Sequence, residues 1–520
     1  MNSVKLKSNN ENTDQINSFS KKKYISFLWL VIGAILMIFI RGRWIIPIAA
    51  WLGPIFILRF MRQQKLRWAI PGCILAHLIA ACISYQESVP LSGLAYIAGA
   101  GAMGVQFCLP FIIDRLLFSK LSGFKSTFIF PLSYTVWEYL LAQFHPYPTF
   151  GSIAYSQFGN LGLSQIVSVM GMWGLIFVVT WFSSVLNWLW EEGFDWHKIK
   201  MGVCVFISLL CLVFMYGGIR LALFSPASKT VHVTSLVRDT QIESLYTTTD
   251  RDDFNPNPSS DIDQSRETFS KILDLFLART QKQAQAGAQI VMWCEDSVVT
   301  FHQDEDAYIN RACETAKKEK IYLMMGLLVI SNDFPEVYGR NETVFINPDG
   351  TIIGKYLKSY PVKGGEPVIA GNGVIPTVNT PYGKIGTATC FDMDHISFVR
   401  QAGKEGVDIF LDPSFDWVGI DPFHTNMVSF RALENGFSII RCTADGLSAS
   451  YDYQGRCISS SDSFKSGDYA MTSEIPIKRD KTVYSAIGDL FAWICIVMLA
   501  YTICYIIIKN RKSSFSKYHI

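Results

Sequence analysis

The sequence predicts a membrane α-helical bundle of about eight transmembrane helices joined to a layered α/β domain. Three observations predict it. Hydrophobic residues make up 50% of the chain and charged residues only 17%, against roughly 25% charged in average soluble proteins. The apolar residues are bunched into long runs rather than spread. Between the last two runs, residues 229–478 alternate short apolar strands with amphipathic helices.

Residues 1–23 are polar and end in Lys21, Lys22 and Lys23, the composition of a disordered tail. Apolar stretches follow near 25–41, 44–61, 68–84, 91–118, 126–144, 161–190 and 200–223, with another near 485–508. The first has no small-residue cleavage site after it, so it reads as an uncleaved span. Loop charge sets the orientation. Lys21–Lys23, "RQQKLR" (62–67), "DRLLFSKLSGFK" (114–125), "EEGFDWHKIK" (191–200) and "KNRKSSFSK" (509–517) fall on one side. "QESVP" and "HPYPT", on the other side, have neither Lys nor Arg. The expected organisation is a cytoplasmic tail (1–24), a transmembrane domain (25–223), an extracytoplasmic domain (224–484), a last transmembrane helix (485–508) and a second cytoplasmic tail (509–520). Arg41 and Arg43 run against the charge pattern and are expected to snorkel or line a cavity. The net charge of +2, with no basic patch interleaved with aromatics, excludes nucleic acid as a partner.

In the outer domain, "KTVHVTSLV" reads as a strand and "SRETFSKILDLFLARTQKQAQAG" as a helix stopped by Gly287. "AQIVMWCED" is a strand, "DAYINRACETAKKEK" a helix and "IYLMMGLLVIS" a strand. "ETVFINPDGTIIGKYLK" is a hairpin turning on "NPDG". "GKIGTATC" and "VDIFLDPS" are strands around the helix "ISFVRQAGKEG". "FHTNMVSFRALENG" is a helix before the strands "FSIIRCTADG" and "LSASYDYQGRCI". The polar stretch 238–265 is expected to be a mobile surface loop.

Reactive residues in such folds sit just past strand ends. Glu295 and Cys390 both occupy that position. A catalytic thiol needs a base to take its proton and a cation to favour the thiolate. Glu295, beside an apolar strand, suits the base, and His395 is the alternative. Lys358, Lys355 and Lys363 compete for the cation on local grounds. Glu366 is placed to orient the lysine or the first glutamate. Histidines with metal-ligand spacing and CxxC pairs are both missing from the sequence, so a metal site is not expected.

The order Glu, Lys, Cys in "MWCE" (Glu295), "GKYLK" (Lys358) and "TATCFD" (Cys390) resembles the nitrilase, or carbon–nitrogen hydrolase, superfamily. The run "RALENGFSIIRCTADGLSASYDYQG" (431–455) is similar to a motif of the same superfamily. The resemblance implies an αββα sandwich and a catalytic set of Glu295, Lys358 and Cys390, with Glu366, Phe391 and Asp392 in support. The helices before and after this domain, with "LSYTVWEYL" and "TVYSAIGDLFAWIC", resemble the apolipoprotein N-acyltransferase family. That likeness implies transfer of an acyl chain from a membrane phospholipid, through a Cys390 thioester, to the N-terminal amine of a diacylglyceryl-cysteine lipoprotein. It implies no cofactor, and a multi-pass protein of the cell (inner) membrane. A membrane-anchored amidase or nitrilase with the same triad is the alternative. Here the residue before the glutamate is Cys294, where the family carries proline.

The loop charges give a direct test of orientation. A cysteine introduced within 250–260 should react with a membrane-impermeant maleimide in intact cells, above the labelling of the parent chain. One introduced within 512–516 should react only after permeabilisation. The opposite pattern inverts the topology.

Overall fold

The structure, a computed structural model, describes residues 24–223, 229–246, 262–331, 339–477 and 479–517. Residues 1–23 of the expected tail and residues 247–261 of the expected surface loop lie outside them. The rest of 238–265 is not loop throughout. Thr240–Tyr246 is helical, and a second helix begins at Ile262. Ile242, fully buried, and the 2.7 Å ion pair of Arg279 with Asp239 hold this segment down.

The described residues contain five helices long and apolar enough to cross a membrane. They are Leu66–Ser84, Gly93–Lys120, Val167–Glu191, Trp196–Leu223 and Leu490–Arg511. Tyr24–Ile38, Pro47–Gln63 and Ile129–Phe144 fall short of the roughly 20 residues that span hydrocarbon unaided. Gly171 (φ 63°) breaks the helix Val167–Glu191 near its start. A Cβ there would lie 2.5 Å from the Tyr484 ring, so the close approach of that ring requires glycine. Arg41 lies buried inside the bundle. It bonds the Gly151 carbonyl and Tyr134, stands 3.7 Å from Glu138 and sits over the Phe107 ring.

Residues 229–477 form two stacked sheets. The strands are β1 (Thr230–Leu236), β2 (Ile290–Trp293), β3 (Val298–Phe301), β4 (Tyr322–Ile330), β5 (Gly339–Ile346), β6 (Ile352–Leu357), β7 (Thr377–Thr380), β8 (Gly383–Thr387), β9 (Ile409–Phe415), β10 (Ser438–Ala444), β11 (Leu447–Tyr451), β12 (Cys457–Asp462) and β13 (Ala470–Pro476). The first sheet has seven strands, ordered β13-β1-β2-β4-β5-β6 with β3 also on β4. The second has six, ordered β12-β11-β10-β9-β8-β7. The run "LSASYDYQGRCI" folds as two strands, β11 and β12, because "DYQG" closes a turn with the Gly455 amide on the Asp452 carbonyl. β7 and β13 had no sequence signal beyond short, half-polar runs.

Side-chain alternation assigns each face. Ile409, Leu411, Ile440 and Cys442 point between the sheets and share a core with Met292 and Met324 of the first sheet. The opposite face of the first sheet takes helix Ile262–Gln285. Its Phe269, Ile272, Leu273, Phe276 and Leu277 recur at helical spacing. Phe410 and Ile439 point outward, under helices Ile396–Glu405 and Phe423–Asn435. The result is the four-layer αββα sandwich.

Helix Phe423–Asn435 is apolar on two sides. Val428 and Ala432 pack on the second sheet. Phe423, Met427, Phe430 and Leu433 pack into the core of the transmembrane bundle. Phe430 meets Tyr155 edge-on at 5.1 Å, and Phe423 meets Phe150 at 5.3 Å. Phe430→Ala should therefore destabilise the detergent-solubilised protein by about 3–5 kcal/mol. The exposed Phe464→Ala should cost less than about 0.5 kcal/mol in the same thermal melt.

Candidate active site

Glu295 emerges from a break in the first sheet. β2 pairs with β4 through Met292 and Met324, and β3 resumes at Val298 opposite Leu327. Residues 293–297 therefore face only Met325 and Gly326, and the excess bulges out of the sheet. Gly326 makes room for it, since a Cβ there would lie 2.1 Å from the Cys294 carbonyl oxygen. Ser297 Oγ donates to the Gly326 carbonyl at 2.7 Å. The bulge turns the Glu295 carboxylate into the space between the sheets.

The β5–β6 hairpin selects among the lysines. Its register sets Tyr356 opposite Thr343 and Lys355 opposite Val344. The Lys358 amide continues the ladder onto the Asn341 carbonyl at 3.0 Å. With a two-residue period, Lys358, Tyr356, Asn341 and Thr343 share the inner face. Lys355 is left on the outer face, where it bonds Glu305 at 3.3 Å. Lys363 is exposed on the following loop.

Four side chains meet on the inner face. Lys358 Nζ donates to Glu295 Oε1 at 2.7 Å and to Glu366 Oε1 at 2.6 Å. Asn341 Nδ2 donates to the same Glu295 oxygen at 2.7 Å. The Val362 amide holds the second oxygen of Glu366 at 2.9 Å. Burial alone would lower the Lys358 pKa, but Glu295 and Glu366 outweigh it and hold the ammonium well above its ordinary value. Burial raises the Glu366 carboxyl, with Lys358 working against it.

Cys390 lies three residues past β8, at φ 51°. Left-handed backbone is uncommon for a residue with a side chain and is imposed here by what surrounds it. Thr389 and Asp392 form a reciprocal capping box over the turn Cys390–Asp394. Asp392 also accepts from Tyr356 Oη at 2.6 Å and from the Tyr360 amide at 2.7 Å. It thus clamps the cysteine turn to the lysine hairpin. Burial raises its carboxyl to about 6. The Cys390 amide donates to Asp412 Oδ1 at 2.9 Å.

One residue joins thiol and carboxylate. The Phe415 carbonyl accepts from Cys390 Sγ at 3.4 Å, and the Phe415 amide donates to Glu295 Oε2 at 2.8 Å. The thiol pKa is pushed well up, first by burial and then by Glu295; Lys358 and Arg441 oppose this. Arg441 Nη2 stands 3.9 Å from the sulfur. Cys390, Glu295 and Lys358 are 5%, 1% and 0% exposed, so the site is closed to bulk water.

The structure thus brings Glu295, Lys358, Glu366, Cys390 and Asp392 together. Phe391 faces the other way, 6.0 Å from Tyr147 of the bundle. His395 stacks on Tyr360 at 3.7 Å, and burial lowers it to about 4. Asn341, Phe415 and Asp412 had no sequence signal, since each acts through a partner tens of residues away. Arg441 lies within the motif-like run 431–455, but nothing in that run tied it to the site. Cys390, Asp416 and His424 bring three potential ligand atoms within 4.8 Å of one another. Arg441 already sits among them, 3.0 Å from Asp416 and 2.7 Å from His424, and its charge opposes a metal ion there. Cys73, His77 and Cys108 form a second such group inside the bundle.

Residues 259–481 match the family model described as Carbon-nitrogen hydrolase. Over 402 residues the chain is 24% identical to an apolipoprotein N-acyltransferase of Geobacter metallireducens, covering 72% of this chain and 73% of that one. It is 24% identical over 436 residues to the protein of the same name from Haemophilus influenzae, covering 75% and 78%. Among solved structures, an amidase from Nesterenkonia sp. aligns with 51% of this chain and 95% of its own, at 16% identity and a TM-score of 0.39. Residues 259–481 thus carry the likeness to the carbon–nitrogen hydrolases, and along most of its length the chain is similar to the apolipoprotein N-acyltransferases.

Proposed function

We propose that this protein transfers an acyl chain from a membrane phospholipid to the N-terminal amine of a lipoprotein, with Cys390 as nucleophile, Glu295 as base and Lys358 as the cation for the oxyanion. The observation that carries the reading is where the cysteine turn sits. Its Phe391 packs on Tyr147, and its Asp394 carbonyl accepts from Thr149 Oγ1 at 3.1 Å. Both partners belong to a loop of the apolar bundle. A nucleophile held there suits substrates whose chains lie in a bilayer. The names of the relatives supply the lipoprotein acceptor; the phospholipid donor, the inner membrane and the extracytoplasmic orientation belong to the same proposal.

The thiol is buried and held above its ordinary pKa, so its deprotonation is coupled to attack. Glu295 takes the S–H proton as sulfur bonds to the ester carbonyl carbon. Lys358 faces the oxygen that becomes negative. When the tetrahedral adduct collapses, the C–O bond breaks and the Glu295 proton goes to the leaving alkoxide. A lysophospholipid departs, and the acyl group stays on Cys390 as a thioester. The α-amine of the diacylglyceryl-cysteine then attacks that carbonyl and gives its proton to Glu295. The C–S bond breaks, the sulfur is reprotonated, and the amide leaves. Holding both reactants at one bilayer surface replaces encounter by orientation.

Cys390→Ser, Glu295→Gln and Lys358→Ala should each lower the transfer rate by about a thousandfold or more without loss of expression. Lys355→Ala and His395→Ala should stay within about threefold of wild type, because one side chain is on the outer face and the other is stacked on Tyr360. A Lys355→Ala protein as inactive as Lys358→Ala would show the lysine to be misassigned. The double variant Glu295→Gln/Cys390→Ser should be little worse than either single one, since members of a working set do not add.

Phospholipid alone should leave one acyl mass on the Cys390 peptide, removable by hydroxylamine. A diacylated lipopeptide with a free amine should discharge it, and the same lipopeptide acetylated should not. An amidase would form no adduct from phospholipid and would release ammonia or amine from small amides. That result would end the acyltransferase reading and leave the hydrolase chemistry.

A further inference from the structure

His424 belongs to none of the steps above, yet it lies at the centre of a buried charge cluster beside the nucleophile. It is 4% exposed, on the helix Phe423–Asn435. Its Nδ1 is 2.8 Å from Asp416 Oδ1, at the end of β9. Its Nε2 is 3.0 Å from Asp394 Oδ1, in the cysteine turn. Carboxylates only accept, so the two aspartates favour a proton on each ring nitrogen and hence an imidazolium, against the Arg441 guanidinium, which can only donate toward Nδ1. Burial and Arg441 press toward the neutral ring, and the two aspartates overcome them, up to about 9.

Arg441 closes the cluster. It bonds Asp412 at 2.7 Å and Asp416 at 3.0 Å, and its Nη2 stands 2.7 Å from His424 Nδ1 and 3.9 Å from the Cys390 sulfur. Two cations are in contact because they share one oxygen of Asp416. The other charged or ionisable groups close by include Asp421, which feels the Asp416 charge, Tyr155, on the bundle side and acted on by both Arg431 and Asp394, and Arg431 on the same helix. On the second-sheet side of the sulfur, Arg441 and His424 stand against Asp394, Asp412 and Asp416, while Lys358 and Glu295 face it from the first sheet. Removing the imidazolium charge leaves a single guanidinium against three carboxylates on that side, next to a sulfur that must itself become an anion.

We propose that His424 is a positioning residue: as the cation shared by Asp416 and Asp394, it leaves the Arg441 guanidinium available to the Cys390 sulfur and fixes the cysteine turn to the helix seated on the bundle. This rests on the reading of Cys390 as the nucleophile. Its readout does not require acyl transfer, so the two ideas fail separately.

The test follows alkylation of Cys390 by iodoacetamide, by mass spectrometry of its peptide, from pH 6 to 10 in the full-length protein in detergent. His424→Gln, and the smaller His424→Asn, should move the midpoint of the rate profile up by about one pH unit, a tenfold slower reaction below it. His424→Lys keeps a cation and should stay close to wild type. With transfer assayed in parallel, kcat should fall in the neutral variants with KM within about twofold. The proposal is overturned by an unchanged midpoint in a folded neutral variant, or by equal shifts in all three variants, which would mean packing alone. It is overturned too by failure of both neutral variants to fold, or by a wild-type thiol inert up to pH 10.

Discussion

Lys358 is fully buried, and the first sheet is arranged to make that tolerable. Taking an ammonium out of water costs several kcal/mol even after the protein relaxes. Only close, well-directed carboxylates offset it, and Glu295 and Glu366 do so at 2.7 and 2.6 Å. Each of the three comes from a different piece of backbone: the bulge after β2, the end of β6 and the loop beyond it. The sheet register, the bulge and the loop closure must all be in place together, or the site is left with an unpaired buried charge. That constraint also explains Asn341, whose amide fills the remaining demand of the oxygen that Lys358 already binds.

A second constraint comes from helix Phe423–Asn435. A helix with water on one side would carry polar residues there. This one carries Phe423, Met427, Phe430 and Leu433 toward the bundle and Val428 and Ala432 toward the sheet. Its polar residues turn inward and pair: Arg431 with Glu434 at 3.1 Å, and His424 with two aspartates. Burial raises the Glu434 carboxyl to about 7, against the pull of Arg431, and the Met172 amide of the bundle donates to it at 3.2 Å. The hydrolase layer and the bundle thus share a core, and the cysteine turn borders it.

The sequence made some of this legible and hid the rest, for physical reasons. Glu295 and Cys390 could be picked as candidates because strand ends in layered α/β domains are where reactive groups emerge, and the strands before them are plainly apolar. The amphipathic period of 262–285 was equally open. Lys358 could not be told from Lys355 or Lys363 by composition. The choice depends on the hairpin register, in which Lys358 faces Asn341, and the sequence near "NPDG" marks a turn without fixing which residues face each other. Asn341 and Phe415 were invisible because their partners are far away in the chain, and Arg441, though inside the motif-like run 431–455, owes its place to Asp412 and Asp416, which that run does not contain. Phe415 acts through its peptide groups, which no side-chain pattern records. The segment 238–265 misled because its polarity is real. One buried isoleucine and one ion pair are enough to order Thr240–Tyr246.

Two cations flank one sulfur, and the architecture treats them differently. Lys358 is held by carboxylates from the first sheet and its loop, and Arg441 by Asp412 and Asp416 of the second. Neither cation is free to make a stable thiolate in the closed state, because each is already matched by two acids; burial then keeps the thiol protonated. A low-pKa thiolate facing a membrane would be open to any electrophile. In the proposed reaction the protonated thiol attacks as a carbonyl accepts its electrons and Glu295 takes its proton; other electrophiles meet only the small thiolate fraction. The pairing that makes the cluster tolerable in the protein interior is therefore the same pairing that keeps the Cys390 thiol protonated at rest.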